Sequence, residues 1–247
     1  MKNGYQKFLI LVSCFGFFLV YFSINSRGIK NDFPQKASIQ NLNNAKVFEF
    51  KIDKNNLKKI LKILKGYDYK NAPKREIING RLIYKYKRLE NEPKKTLEEL
   101  KLLIDNPEQT KNEEKFIKKA MLSLLSSGVK IYIKDMKEDF SAQWVFKERR
   151  IIFNKSSLKE GTKNFANLLS HEMIHVSQSC KSGSFNSYPA LLNLDLEKPI
   201  NYYYKYLKSN AYKDLKENEL MLEIEAYANE KKHTQTLNLY NYFCLRN

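Results

Sequence analysis

Two histidines and a glutamate in the second half of the chain have the residue types and the spacing of a metal site. His171 and His175 are separated by three residues, and Glu172 directly follows the first histidine. Residues four positions apart lie on the same face of a helix, so both imidazoles can bind one Zn²⁺ ion. A glutamate beside them is the expected general base for water that zinc activates. The motif therefore predicts metal-dependent hydrolysis.

Chance is a poor explanation for this motif. The chain has only three histidines, and two of them belong to the motif. The three residues between the histidines include neither Pro nor Gly, which would weaken a helix at this point. The alternative, that these are ordinary surface or core histidines without a metal, is therefore disfavoured.

A third protein ligand must come from another part of the chain, because zinc sites in proteins use at least three. Gln178 and Lys181 stand where some zinc proteins have a glycine and a third histidine shortly after the motif. The acidic stretch Glu217–Glu230 is the richest alternative source. The candidate ligands further along the chain are Glu219, Glu223, Glu225 and His233.

The segment Glu223-Ile224-Glu225-Ala226-Tyr227, taken with the upstream motif, resembles the glutamate-zincin (gluzincin) group of metallopeptidases. This group includes forms like the CAAX prenyl proteases and small stand-alone enzymes, and its third ligand is a glutamate on a downstream helix. The resemblance covers about residues 162–230. It implies that His171, His175 and Glu223 bind Zn²⁺ and that Glu172 is the general base. The chain departs from the group at Tyr227, where Asp or Asn is more usual.

The elements that must position these residues can be read from the periodicity of the chain. Residues 129–134, 140–146 and 151–153 have the patterns of three short strands, and the last two are predicted to form a hairpin. Apolar residues recur at helical spacing from Thr162 to about Cys180, which places the motif on a helix. We also predict that the strand Ile151–Asn154 can pair with an extended peptide.

The preceding segment, residues 46–127, is rich in Lys and mainly helical in pattern, and it shows no chemistry of its own. One helix is predicted around Leu57–Leu64, with Gly66 as its end. A half-buried strand is predicted over 81–87. A second helix is expected to begin at the capping box of Thr96, and a third to run from Asn112 to Ser127. We interpret the segment as structural or regulatory.

The first 24 residues differ from the rest of the chain. Lys2 and Lys7 precede an uncharged apolar run over residues 8–24, which is near the shortest length that can span a membrane. No small-x-small cleavage site follows, so residues 1–24 are predicted to be a signal anchor rather than a signal peptide. Residues 25–45 are polar and are interpreted as a linker. These patterns predict a single N-terminal membrane span and an extracytoplasmic catalytic domain, or a secreted protein if the segment is cleaved.

Two cysteines lie in the part of the chain that follows the apolar run. In an exported protein, Cys180 and Cys244 can form a disulfide that ties the end of the chain to the motif helix. In a cytosolic protein they would be free thiols. Both alternatives remain open from the sequence.

The chain is strongly basic, with 44 Lys and Arg against 27 Asp and Glu and a formal net charge of +17. Such a charge would suit nucleic acid, an anionic membrane or an acidic polymer. The lysines are scattered through helical patterns such as residues 51–70, however, and this distribution favours a solvated basic surface. We therefore expect no nucleic-acid partner.

Together these patterns predict an α+β fold, with a zincin-like catalytic domain over residues 128–247 behind a mainly helical segment. The predicted reaction is zinc-dependent hydrolysis of peptide bonds in a peptide or protein substrate. One alternative is a zinc hydrolase that acts on non-peptide amides. Two others are a catalytically silent zincin-like binding module and a basic protein that binds anionic lipid or polymer without zinc.

Overall fold

The computed structural model describes residues 49–79, 81–88, 93–136, 141–204, 207 and 215–245. It contains both helices and strands, which confirms the predicted α+β class. The helices are α1 (Leu57–Asn71), α2 (Leu97–Asp105), α3 (Lys111–Ser126), α4 (Thr162–Lys181), α5 (Ile200–Tyr203), α6 (Glu217–Asn229) and α7 (His233–Cys244). The strands are β1 (Glu49–Ile52), β2 (Lys74–Ile78), β3 (Arg81–Lys85), β4 (Lys130–Lys134), β5 (Ala142–Val145) and β6 (Arg150–Asn154).

Four of these strands form a mixed sheet in the order β1-β4-β6-β5. β4 runs parallel to β6, whereas the β1–β4 and β5–β6 pairs are antiparallel. The predicted hairpin of β5 and β6 is confirmed, with Trp144 opposite Ile151. Both neighbours of β6 are therefore strands of the sheet, and the prediction that an extended peptide pairs with β6 is wrong. β5 lies at the edge of the described sheet, and all four of its residues are buried.

The N-terminal helices largely follow the sequence pattern. The capping box of Thr96 is present, because its side chain accepts from the Glu99 N–H and the Glu99 carboxylate accepts from the Thr96 N–H. The predicted third helix corresponds to α3, which ends before Gly128, a residue with a φ of +81°. A strand is present where one was predicted over 81–87: β3 ends at Lys85 and pairs with β2 in a separate two-stranded sheet. Four of its five residues are exposed, so the prediction that it is half-buried is wrong.

The helix α1 continues past Gly66, so the prediction that this glycine ends the helix is wrong. A glycine inside a helix costs only about 1 kcal/mol relative to alanine, which packing can offset. The helix ends at Asn71, two residues before Pro73, and proline disfavours helical geometry in the residue before it. The extra turn carries Asp68, which contacts the first residue of α4.

This contact caps the motif helix from outside its own sequence. One carboxylate oxygen of Asp68 accepts from the Thr162 N–H, and the other accepts from the Thr162 hydroxyl. Gly161 precedes the helix with a φ of +86°, and a Cβ atom there would collide with the Asp68 carboxylate. The start of α4 is therefore fixed by α1.

The main hydrophobic core joins the sheet to four helices. Among its fully buried members are Leu64 of α1, Met121 of α3, Phe153 of β6, Phe165 of α4 and Tyr240 of α7. The core thus contains residues from before and from after position 128 in the sequence. The division into segments 46–127 and 128–247 stays a prediction.

A disulfide joins Cys180, near the end of α4, to Cys244, the last residue of α7. Their Cα atoms are 5.2 Å apart, and 64 positions separate them in the sequence. Of the two alternatives for these cysteines, the structure has the bonded one.

No helix among the described residues has both the length and the apolar composition that a membrane span requires. The longest of them, α4, carries the ionisable residues of the metal motif. For the described residues, the prediction of a membrane protein with a transmembrane helix is therefore wrong. The predicted anchor over residues 8–24 and the linker over 25–45 lie outside the described residues.

Candidate metal centre

The three residues predicted to bind zinc meet between α4 and α6. The Nε2 atoms of His171 and His175 are 3.1 Å apart. The Glu223 carboxylate lies 3.4 Å from Nε2 of His171 and 3.5 Å from Nε2 of His175. Ligand atoms from all three residues lie within 4.8 Å of one another, and each side chain is fully buried. This group can hold a metal ion.

Packing and hydrogen bonding bring the two helices together at this point. Ile174 of α4 and Ala226 of α6 are buried in a small apolar cluster with Leu192. The Gln178 side chain of α4 donates to the backbone carbonyl of Leu222 in α6 at 3.2 Å. Every residue from Leu168 to Cys180 is buried, so the polar face of α4 faces protein rather than solvent.

The other candidate ligands have different partners. Glu219 accepts from the Tyr188 hydroxyl and from the Lys216 N–H at the start of α6. Glu225 accepts from backbone N–H groups and from Gln178. His233 stacks on Phe116 and lies 3.0 Å from the Asn167 side chain. In the part of the chain that the structure describes, the one candidate metal group is that of His171, His175 and Glu223.

Glu230 contacts the metal group from outside and was given no role from the sequence. Its carboxylate lies 3.2 Å from Nδ1 of His171. A carboxylate can only accept here when ionised, so Nδ1 carries a proton, and in a neutral ring Nε2 is free to bind a metal. The edge-on ring of Tyr227 packs against His171 at 4.6 Å between centroids. Tyr227 thus contacts His171 through its ring, and the carboxylate beside Nδ1 comes from position 230.

The buried charges of the group perturb one another. Burial alone would lower the pKa of His171, but the carboxylates of Glu223 and Glu230 outweigh it and raise this pKa to about 10. Burial would raise the pKa of Glu223, but His175 and His171 outweigh it and lower this pKa. The carboxylates of Glu223 and Glu230 therefore favour a positive charge on the His171 ring, which lies between them.

Glu172 lies beside the group, and its carboxylate is fully buried. Among the described residues neither oxygen makes a well-formed hydrogen bond, although a contact with the Trp144 backbone N–H stabilises the ionised form. Burial raises the pKa of Glu172 to about 7, with partial offset from His175, His171 and that N–H. The Glu223 oxygens are buried too, and their polar neighbours are His171 at 3.4 Å and His175 at 3.5 Å. Such carboxylates are costly unless a cation or a proton balances them.

The donor set fits zinc. Two imidazole nitrogens and one carboxylate oxygen are ligands that Zn²⁺ accepts readily, and three protein ligands are typical of catalytic rather than structural zinc sites. The buried Glu223 carboxylate offers a negative charge, and the two converging Nε2 atoms offer lone pairs, to a divalent cation between them.

Comparison with protein-family models, with curated proteins and with solved structures finds no significant match for the chain. The function must therefore be argued from the site itself.

Proposed function

We propose that this protein is a zinc-dependent peptidase with a zincin-like catalytic domain. His171, His175 and Glu223 hold the zinc ion, and Glu172 is the general base. The observation that carries the proposal is the fully buried Glu172 carboxylate, which lies beside the three ligands and makes no well-formed hydrogen bond among the described residues. A structural zinc site needs ligands alone, whereas a costly buried carboxylate that is not a ligand is explained by a role in the reaction.

When bound, zinc would act as a Lewis acid that polarises the scissile carbonyl and makes water nucleophilic near neutral pH. The Glu172 carboxylate takes one proton from the attacking water and transfers it to the nitrogen of the leaving amine, so the proton count balances. Glu230 holds the ring of His171 in the tautomer that ligation requires. The same chemistry hydrolyses other amides, so the substrate class is part of the test.

A structural zinc site in a catalytically silent module is the second candidate function. The observation that favours it is the complete burial of His171, Glu172, His175 and Glu223. Structural zinc sites are closed, whereas a peptidase must admit its substrate to the metal. In this alternative the zinc ion joins α4 to α6 and Glu172 has no chemical role.

Zinc content and peptide cleavage by the full chain distinguish these functions. The peptidase proposal predicts one zinc ion per chain and cleavage of a peptide library. Glu172→Gln is expected to keep the zinc and to slow cleavage by about 100- to 10,000-fold, because the general base is lost. Glu219→Gln is the matched control, since Glu219 lies on the same helix as Glu223 but contacts Tyr188 instead.

Each outcome decides between the candidates. Zinc bound with no cleavage of peptides or of simple amides would support the structural site. Cleavage of simple amides but not of peptides would show that the substrate is a non-peptide amide. A chain that binds no zinc would contradict both candidates and would favour the basic binding protein.

A further inference from the structure

A buried chain of hydrogen bonds leads from the metal ligand His175 to a segment outside both site helices. Nδ1 of His175 lies 2.7 Å from Oε1 of Gln178. The amide nitrogen of Gln178 donates to the Glu225 carboxylate at 2.9 Å. That carboxylate also accepts from the N–H groups of Leu192 at 2.8 Å and Leu194 at 2.9 Å. His175, Gln178 and Glu225 are all buried.

The orientation of the Gln178 amide follows from its neighbours. One end of the amide faces the Leu222 carbonyl and the Glu225 carboxylate, and both of these groups can only accept. This end must be the NH₂ group. The oxygen therefore faces His175.

The amide in turn fixes the tautomer of the histidine. Because the Gln178 oxygen can only accept, Nδ1 of His175 must carry the proton. In a neutral ring the lone pair is then on Nε2, the atom that faces Glu223 and His171. The tautomer that can bind a metal through Nε2 is thus selected by a glutamine three residues along the same helix.

The backbone around Asn193 holds the Glu225 carboxylate in turn. Asn193 has a φ of +63°, in the left-handed region that Asn tolerates better than most residues. This conformation allows the N–H groups on both sides of it to converge on one anion. Glu225 therefore has three donors and is satisfied without a metal, which explains why it does not compete with Glu223 as a ligand.

We propose that Gln178 and Glu225 are positioning residues of the metal centre: together they hold His175 in its Nδ1–H tautomer. Gln178 acts on the ring directly, and Glu225 acts by orienting the Gln178 amide. The inference rests on the proposed zinc site, but it does not require that the site be catalytic.

The test uses the ¹⁵N-labelled full chain, because ¹⁵N spectra of imidazoles distinguish Nδ1–H from Nε2–H. The metal-free and zinc-bound wild type are both expected to show His175 protonated on Nδ1. Gln178→Met removes the acceptor at little change in volume, so the metal-free ring is expected to lose its preference for this tautomer. Zinc affinity is expected to fall about 10- to 100-fold, as for other contacts that orient a metal-bound histidine.

Three further variants separate positioning from general destabilisation. Glu225→Leu leaves the amide oriented by Leu222 alone, so a smaller loss of zinc affinity is expected. The double variant Gln178→Glu/Glu225→Gln keeps the net charge and is expected to regain the Nδ1–H tautomer, because a carboxylate at position 178 can only accept from His175. Ser177→Ala is the control, since its hydroxyl is buried in the same helix and donates to the Met173 carbonyl.

A His175 ring that carries a proton on Nε2 and none on Nδ1 in the metal-free wild type would overturn the proposal, and this measurement needs no variant to fold. A Gln178→Met protein that keeps both the tautomer and the zinc affinity would overturn it as well. If neither the wild type nor any of these variants cleaves peptides, the proposed peptidase is contradicted. The positioning proposal is then still decided by the tautomer and by the zinc affinities.

Discussion

The carboxylate of Glu230 supports the metal group without belonging to it. Its contact with Nδ1 of His171 orients that ring from the side opposite the other ligands. We expect Glu230→Leu to lower zinc affinity about 10- to 100-fold, because the ring loses the acceptor at Nδ1 that orients it. Glu230→Gln is expected to lose less, since an amide oxygen can still accept.

Zinc titration with a competing chelator measures this difference. Glu219→Gln provides the comparison at the other end of α6, where the side chain caps the helix start. That variant is expected to change stability and to leave zinc affinity unaltered. Equal zinc affinities for wild type and Glu230→Leu would show that the contact has no positioning role.

The residues that touch the three ligands are the part of the site that sequence reasoning missed. The spacing of His171 and His175 on one helix face predicted their convergence, and the resemblance to gluzincins selected Glu223, which the structure brings beside them. Glu230 lies two helical turns after Glu223, and this spacing was the available signal for its role. The orientation of Gln178 depends on backbone carbonyls and on the segment around Asn193, which no pattern in the sequence places near α4.

At the scale of elements, the motif helix depends on a cap from α1. Asp68 satisfies both the N–H and the hydroxyl of Thr162, a fully buried residue. Asp68→Ala leaves two polar groups without a partner and is expected to lower the free energy of unfolding by about 2 kcal/mol. Urea unfolding followed by circular dichroism measures this loss.

An exposed aspartate provides the control for this prediction. Asp105 forms an ion pair with Arg75 at 3.8 Å, and both side chains are more than half exposed. Asp105→Ala is expected to change the free energy of unfolding by less than about 1 kcal/mol, because exposed pairs contribute little. Comparable losses for the two variants would contradict a special role for Asp68.

The element that sequence patterns described least well is the sheet. Short alternating runs predicted strands β4, β5 and β6 and the hairpin of the last two, because these features are local. The order of the strands is not local: β1 pairs with β4 across an intervening stretch of three helices and two strands. The parallel contact of β4 with β6, together with the hairpin of β5 and β6, places β6 inside the sheet, where neither of its edges is free for a peptide.

At the scale of the whole molecule, the disulfide fastens α7 to the end of the motif helix. It closes a loop over 64 positions of sequence, which constrains the unfolded chain. Reduction of this bond, or the double variant Cys180→Ser/Cys244→Ser, is expected to lower the free energy of unfolding by about 2–5 kcal/mol. Urea unfolding with and without a reductant measures the change.

We expect the protein to keep its zinc site after loss of the disulfide, under conditions in which the protein stays folded. Neither cysteine belongs to the metal group, and Cys180 lies more than one helical turn beyond His175. Loss of zinc on mild reduction of a protein that is still folded would contradict the separation of the disulfide from the metal centre. A bond of this kind persists in oxidising compartments, which is compatible with the expectation from the sequence that residues 128–247 lie outside the cytoplasm.

The position of the metal is tested most directly by anomalous X-ray scattering at the zinc edge from crystals of the full chain. We predict one strong anomalous peak, bounded by Nε2 of His171, Nε2 of His175 and the Glu223 carboxylate. The peak is expected to disappear in crystals of Glu223→Ala. No peak in zinc-loaded wild type, or a peak held by residues other than these three, would contradict the proposed centre.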